Sequence, residues 1–104
     1  MRVIDEANNG GTVEVAPGEP FRIQLYENPT TGYCWHLVPP NDPAFRAVED
    51  GFDPAQDKPG AGGVRHWTVT ADRPGAVTLH FERKRAWETN PAATFTVTIE
   101  AKVR

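Results

Sequence analysis

Two residues of the 104-residue chain have the types and spacing for nucleophilic chemistry: Cys34 and His36. Two apart on an extended segment, they point the same way, and a thiol beside an imidazole is the core of a thiolate nucleophile. No third residue is placed to orient the imidazole, so a structural cysteine is the expected reading and the chain is not expected to be an enzyme. His36, His66 and His80 form a possible metal-ligand set, but no pair has a recognised ligand spacing. Each is expected on a solvent-facing strand position, with no metal and no cofactor.

Three other strings are better suited to binding than to bond-making. In ENPTTGYCW, residues 27–35, Pro29 and Gly32 brace two small hydroxyl side chains, Thr30 and Thr31. Pro29 fixes its own φ and pushes Asn28 towards an extended conformation, and Gly32 permits a positive φ. A loop restrained at both ends loses little entropy when a partner grips it. The run Gly60, Ala61, Gly62, Gly63 lacks bulky side chains and invites close backbone approach. A strand rather than a helix follows it, which argues against a phosphate cradle. On that reading a bulky residue at position 62 weakens binding and spares the fold. In RKRAWE, residues 83–88, Trp87 sits outside any alternating pattern among charged neighbours, the composition of an exposed binding anchor.

These strings need a frame, and period-2 alternation supplies it. Val13 and Val15 share one face; so do Phe21, Ile23 and Leu25, then Tyr33, Trp35 and Leu37, with Trp35 expected in the core. Trp67, Val69 and Ala71 repeat the pattern, as do Val77, Leu79 and Phe81. The last run carries Phe95, Val97, Ile99, Ala101 and Val103 on one face. Strict alternation means a sheet with one buried and one wet face. Ten prolines and nine glycines fall mostly between the runs. With a further strand near residues 45–48, the pattern predicts an all-β, immunoglobulin-like antiparallel β-sandwich of about seven to eight strands. It is expected to form one domain over residues 1–104. The loops at 26–32 and 84–93 belong to one end of such a sandwich. The loop at 53–63 is expected at the opposite pole, unless it folds along the flank.

Composition narrows the partners. A net charge of −3 supplies no basic stripe for nucleic acid. No apolar run approaches the length of a membrane span, and a monomer is expected. A single cysteine excludes an intrachain disulfide. The N-terminus lacks the apolar core of a secretory signal, so the protein is expected in the cytoplasm, or in the periplasm or outside the cell if a signal has been removed.

NPTTGY, then GAGG ahead of a strand, then Arg-Ala-Trp after the next one, occur in an order that resembles the chagasin-type inhibitors of papain-like cysteine proteases. The resemblance covers essentially the whole chain and implies a reversible, non-covalent inhibitor whose three loops occlude the protease cleft. It places Asn28, Pro29, Thr30, Thr31, Gly32 and Tyr33 in the cleft, with the threonines nearest the protease's catalytic cysteine. Gly60, Ala61, Gly62 and Gly63 would approach one side by main-chain contact, and Arg85, Ala86 and Trp87 the other. The family's proline in the last loop is Ala86 here, which leaves that loop freer. The alternative is a generic immunoglobulin-like adhesion or carbohydrate-binding module, which gives no reason for three special loops.

Overall fold

The computed structural model describes residues 1–54 and 62–103. Among these residues eight strands form two four-stranded sheets packed face to face. They are β1 (Arg2–Ile4), β2 (Thr12–Val15), β3 (Phe21–Glu27), β4 (Cys34–Val38), β5 (Phe45–Pro54), β6 (Gly63–Ala71), β7 (Gly75–Lys84) and β8 (Ala93–Ala101). One sheet has the order β1-β3-β6-β5 and the other β2-β8-β7-β4. The only helical pieces among the described residues are two three-residue 3₁₀ turns, Glu6–Asn8 and Pro29–Thr31.

The alternating residues bury as their period requires. Phe21, Ile23 and Leu25 from β3 face Leu79, Phe81 and the inward residues of β8 across the sandwich, all essentially inaccessible. Trp67 of one sheet meets Phe81 of the other edge-on, with ring centroids 4.7 Å apart, and Phe81 meets Phe95 at 5.8 Å. Each such side chain contributes roughly 1.5–3 kcal/mol by leaving water. Trp35 is buried as expected, its indole N–H donating to the Tyr26 carbonyl at 2.8 Å.

Four features depart from the sequence reading. The sandwich is not wholly antiparallel, because β1 runs parallel to β3 and β2 parallel to β8. The 3₁₀ turn after β1 carries the chain from one sheet to the other, so neither β1 nor β2 has a hairpin partner and each joins an edge. β5 continues past Val48 to Pro54 through a bulge between Glu49 and Gly51, which breaks the alternation that would have revealed it. β8 stops at Ala101 and leaves Val103 exposed, outside the core assigned to it.

The fourth departure concerns the strand ends from which the 53–63 connection leaves: the end of β5 and the start of β6 are not at the far pole. Glu27 at the end of β3 pairs with Gly63, which pairs with Pro54. Cys34 at the start of β4 pairs with Lys84 at the end of β7. Each strand reverses direction, so alternate connections return to the same end. The β3–β4, β5–β6 and β7–β8 connections therefore all leave from one end of the sandwich.

Candidate functional site

The β3–β4 connection is a turn closed by its own side chains. Asn28 and Tyr33 form an isolated antiparallel bridge at its base. The Asn28 side-chain oxygen accepts from the Thr30 N–H at 3.2 Å and from the Thr30 hydroxyl at 2.6 Å. Its backbone carbonyl accepts from the Thr31 N–H at 3.1 Å and the Thr31 hydroxyl at 2.7 Å. The Tyr33 N–H donates back to the Thr31 hydroxyl at 3.3 Å. Gly32 has φ +83°, the conformation its sequence position demanded. Thr30 and Thr31 are both exposed. Each spends its one hydroxyl proton inside the loop, so what each offers outward is acceptor lone pairs.

Arg85 ties this turn to the β7–β8 connection. Its guanidinium lies 4.5 Å from the Tyr33 ring centroid and 5.8 Å from that of Trp87, and its stem covers Gly32. Residues 85–88 form a tight turn in which the Glu88 N–H donates to the Arg85 carbonyl at 3.0 Å. The Glu88 carboxylate accepts from the Arg85 N–H at 3.2 Å. Trp87 projects from the turn with 75% of its surface exposed. A groove lined by Tyr26, Asn28, Thr31, Tyr33, Arg83 and Arg85 separates the two loops.

Gly60 and Ala61 lie outside the described residues; Gly62 and Gly63 are described. Gly62 has φ +81°, and a Cβ there would fall 2.6 Å from the Glu27 carbonyl oxygen and 2.7 Å from the Tyr26 hydroxyl. A Cβ on Gly63 would meet the Pro54 Cα at 2.7 Å. The expectation that position 62 tolerates bulk is thereby corrected: the close approach at these two glycines is by the chain's own β3 and β5.

Two residues that sequence reasoning passed over hold the ends of β3, β4 and β6 together. Glu27 is only 1% exposed, and its carboxylate accepts from the Trp35 N–H at 2.9 Å and from Arg65 Nε at 2.8 Å. Arg65 Nη2 reaches the same carboxylate at 2.7 Å, while its Nη1 meets Glu49 at 3.3 Å. The pair joins the end of β3, the start of β4 and the start of β6. The signal was present: Glu27 continues the buried phase of Phe21, Ile23 and Leu25, and Arg65 that of Trp67 and Val69.

The rival chemistries look different in three dimensions. Burial, and after it the negative charge of Glu27, push the Cys34 thiol up, the opposite of what a thiolate nucleophile needs. His36 is exposed. His66 is not at a wet position as expected; it is buried against Asp50 and Asp53. Among the described residues no three potential ligands are placed to hold a metal ion.

A model of the chagasin family of peptidase inhibitors (I42) matches residues 14–99. Chagasin of Trypanosoma cruzi is 34% identical over 105 residues, spanning 94% of this chain and 96% of that protein. Amoebiasin-1 of Entamoeba histolytica is 33% identical over 103 residues, spanning 95% of this chain and 98% of that protein. The crystal structure of a cysteine protease inhibitor from Entamoeba histolytica superposes with a TM-score of 0.81 at 20% identity, over 97% and 94% of the two chains, and so shares the fold.

Proposed function

The chain belongs to the chagasin family of peptidase inhibitors, and from that premise we propose that it inhibits papain-like cysteine proteases by reversible, non-covalent occlusion of the active-site cleft. The family is one of inhibitors, not enzymes, and membership sets aside a generic adhesion or carbohydrate-binding module. The observation that supports the three-loop wedge is the strand register, which sends the β3–β4, β5–β6 and β7–β8 connections from one end of the sandwich.

The chemistry follows from the turn at Asn28–Tyr33. A papain-like protease attacks a carbonyl held in an extended strand at attack distance. Asn28, Pro29, Thr30, Thr31, Gly32 and Tyr33 instead enter as a tight, internally bonded turn that presents no such carbonyl. The outward lone pairs of Thr30 and Thr31 accept from the protease's imidazolium, a charge-assisted hydrogen bond. Trp87, already free of the core, anchors on one flank beside Arg85 and Ala86. Gly60, Ala61, Gly62 and Gly63 lie towards the other, with the last two also shaping the hairpin. Because the turn is bonded to itself before binding, little ordering cost remains.

Titrating papain with the protein while following a fluorogenic substrate tests this. Tight inhibition, reversed on dilution, with the inhibitor intact by mass spectrometry, is the expected result. Trp87→Ala should weaken inhibition by at least about 2 kcal/mol while changing stability by less than about 0.5 kcal/mol. No inhibition of papain and several relatives at micromolar concentration would refute the reading.

A further inference from the structure

The imidazole of His66 stands out because it lies on the outer, polar phase of β6 and is nonetheless only 8% exposed. The bulge between Glu49 and Gly51 turns Asp50 towards it, and Nδ1 meets the Asp50 carboxylate. Nε2 lies 3.3 Å from a carboxylate oxygen of Asp53. Asp50 is also held by the Thr68 hydroxyl at 2.5 Å, whereas the Asp53 side chain is 75% exposed.

A neutral imidazole carries one N–H, and an imidazolium two. Only the charged ring can therefore donate to both carboxylates at once. When the ring is neutral, its proton belongs on Nδ1 against the better-held Asp50, and the Nε2 lone pair then faces the Asp53 carboxylate. Two acceptors repel, so the Asp53 contact is lost while the Asp50 contact stays.

The remaining neighbours do not substitute for it. From β3, Gln24 is the register partner of His66 and Arg22 that of Thr68, with the Arg22 charge acting on Asp50. On β6 itself, Arg65 is engaged with Glu27 and Glu49. Asp53 stands next to the last residue of β5, opposite Val64, and His66 is three residues past Gly63. The switchable contact thus sits where the β5–β6 hairpin leaves the sheet towards the glycine loop.

We propose that His66 is a positioning residue for inhibition: its protonation adds the clamp to Asp53 that holds the end of the β5–β6 hairpin and so makes protease binding tighter in acid than in weak base. This rests on the inhibitor reading above.

The test compares the full chain with Asp53→Ala, an exposed position whose change spares the core and leaves no group to bond Nε2 in either state. Papain dissociation constants are measured for both at pH 5 and pH 8, and their ratio cancels the protease's own titration. Wild type should bind about two- to fivefold more tightly than the variant at pH 5, and the two should converge at pH 8. A ratio that is the same at both pH values, as direct contact between Asp53 and papain would give, overturns the proposal. Independently, amide exchange of Phe52 and Val64 in the free protein, corrected for its intrinsic pH dependence, should be slower at pH 5 than at pH 8. That response should vanish in Asp53→Ala. Exchange that ignores pH in wild type overturns the role of His66 even if papain is inhibited. A pH response in exchange without any papain inhibition overturns the inhibitor reading instead.

Discussion

Glu27 and Arg65 meet inside the end of the sandwich that carries the loops, with Nε and Nη2 of the arginine 2.8 and 2.7 Å from one carboxylate oxygen. The other oxygen takes the Trp35 N–H. The carboxylate is fully buried and the guanidinium mostly so. An ion pair in such a place adds little net stability over an apolar pair, because both charges were taken out of water. What it adds here is geometry: one carboxylate fixes three chain segments from which the site departs.

Removing one partner should therefore cost much more than the pair is worth. Glu27→Ala leaves Arg65 with a buried, half-compensated charge and the Trp35 N–H without its acceptor. A loss of about 3–5 kcal/mol is expected, a large part of a small domain's total stability. Urea denaturation measures it; a loss under about 1 kcal/mol would mean that water reaches the guanidinium.

Gly62 makes a second structural claim on a residue that looks purely like a binding element. Gly62→Ala must place a side chain at φ +81°, against a backbone carbonyl that cannot swing away. Destabilisation of more than about 1 kcal/mol is expected. For a domain this size that lowers Tm by about 4–8 °C per kcal/mol. An unchanged melting curve would show that β3 shifts freely at Glu27.

The sandwich was legible in the sequence because burial imposes period 2, and strands such as Phe21–Glu27 and Ala93–Ala101 follow it without interruption. Arg2–Ile4 was not, since three residues cannot display a period. The Asn28–Tyr33 turn was legible because proline and glycine have local conformational meaning. The place of the 53–63 connection was not: it depends on pairings such as Glu27 with Gly63, which no local pattern encodes. His66 defied its alternating position because a bulge brought Asp50 over it, and a bulge is a departure from periodicity.

Acid sensitivity has a second, more local source. The Thr68 hydroxyl, more than the neighbouring His66 and Arg22, holds the Asp50 carboxyl below its ordinary range, against the opposing effect of burial. A carboxylate depressed in the folded state stabilises above the unfolded value, about pH 4, and that contribution is lost as pH falls through the lower folded value. Thr68→Val should cost about 1–2 kcal/mol at pH 7, and the gap to wild type should narrow in acid, once the pH is well under the ordinary carboxylate value of about 4. Chemical denaturation at pH 7 and in acid checks this; a gap that does not change with pH would assign the cost to packing.

The last prediction concerns the one residue that departs from the family string. Ala86 occupies the second position of the turn over residues 85–88, the position where a fixed φ near −65° is most easily accommodated. Among the described residues, its N–H makes no turn, loop or side-chain hydrogen bond that a proline would break. The turn is already held by Glu88 and by Arg85 lying between Tyr33 and Trp87, which reduces the freedom that alanine would otherwise bring. Ala86→Pro should therefore tighten papain inhibition by about 0.5–1 kcal/mol, two- to fivefold, by removing residual freedom from the unbound loop. Weaker inhibition would mean that Trp87 must move on binding, and that the alanine preserves that movement.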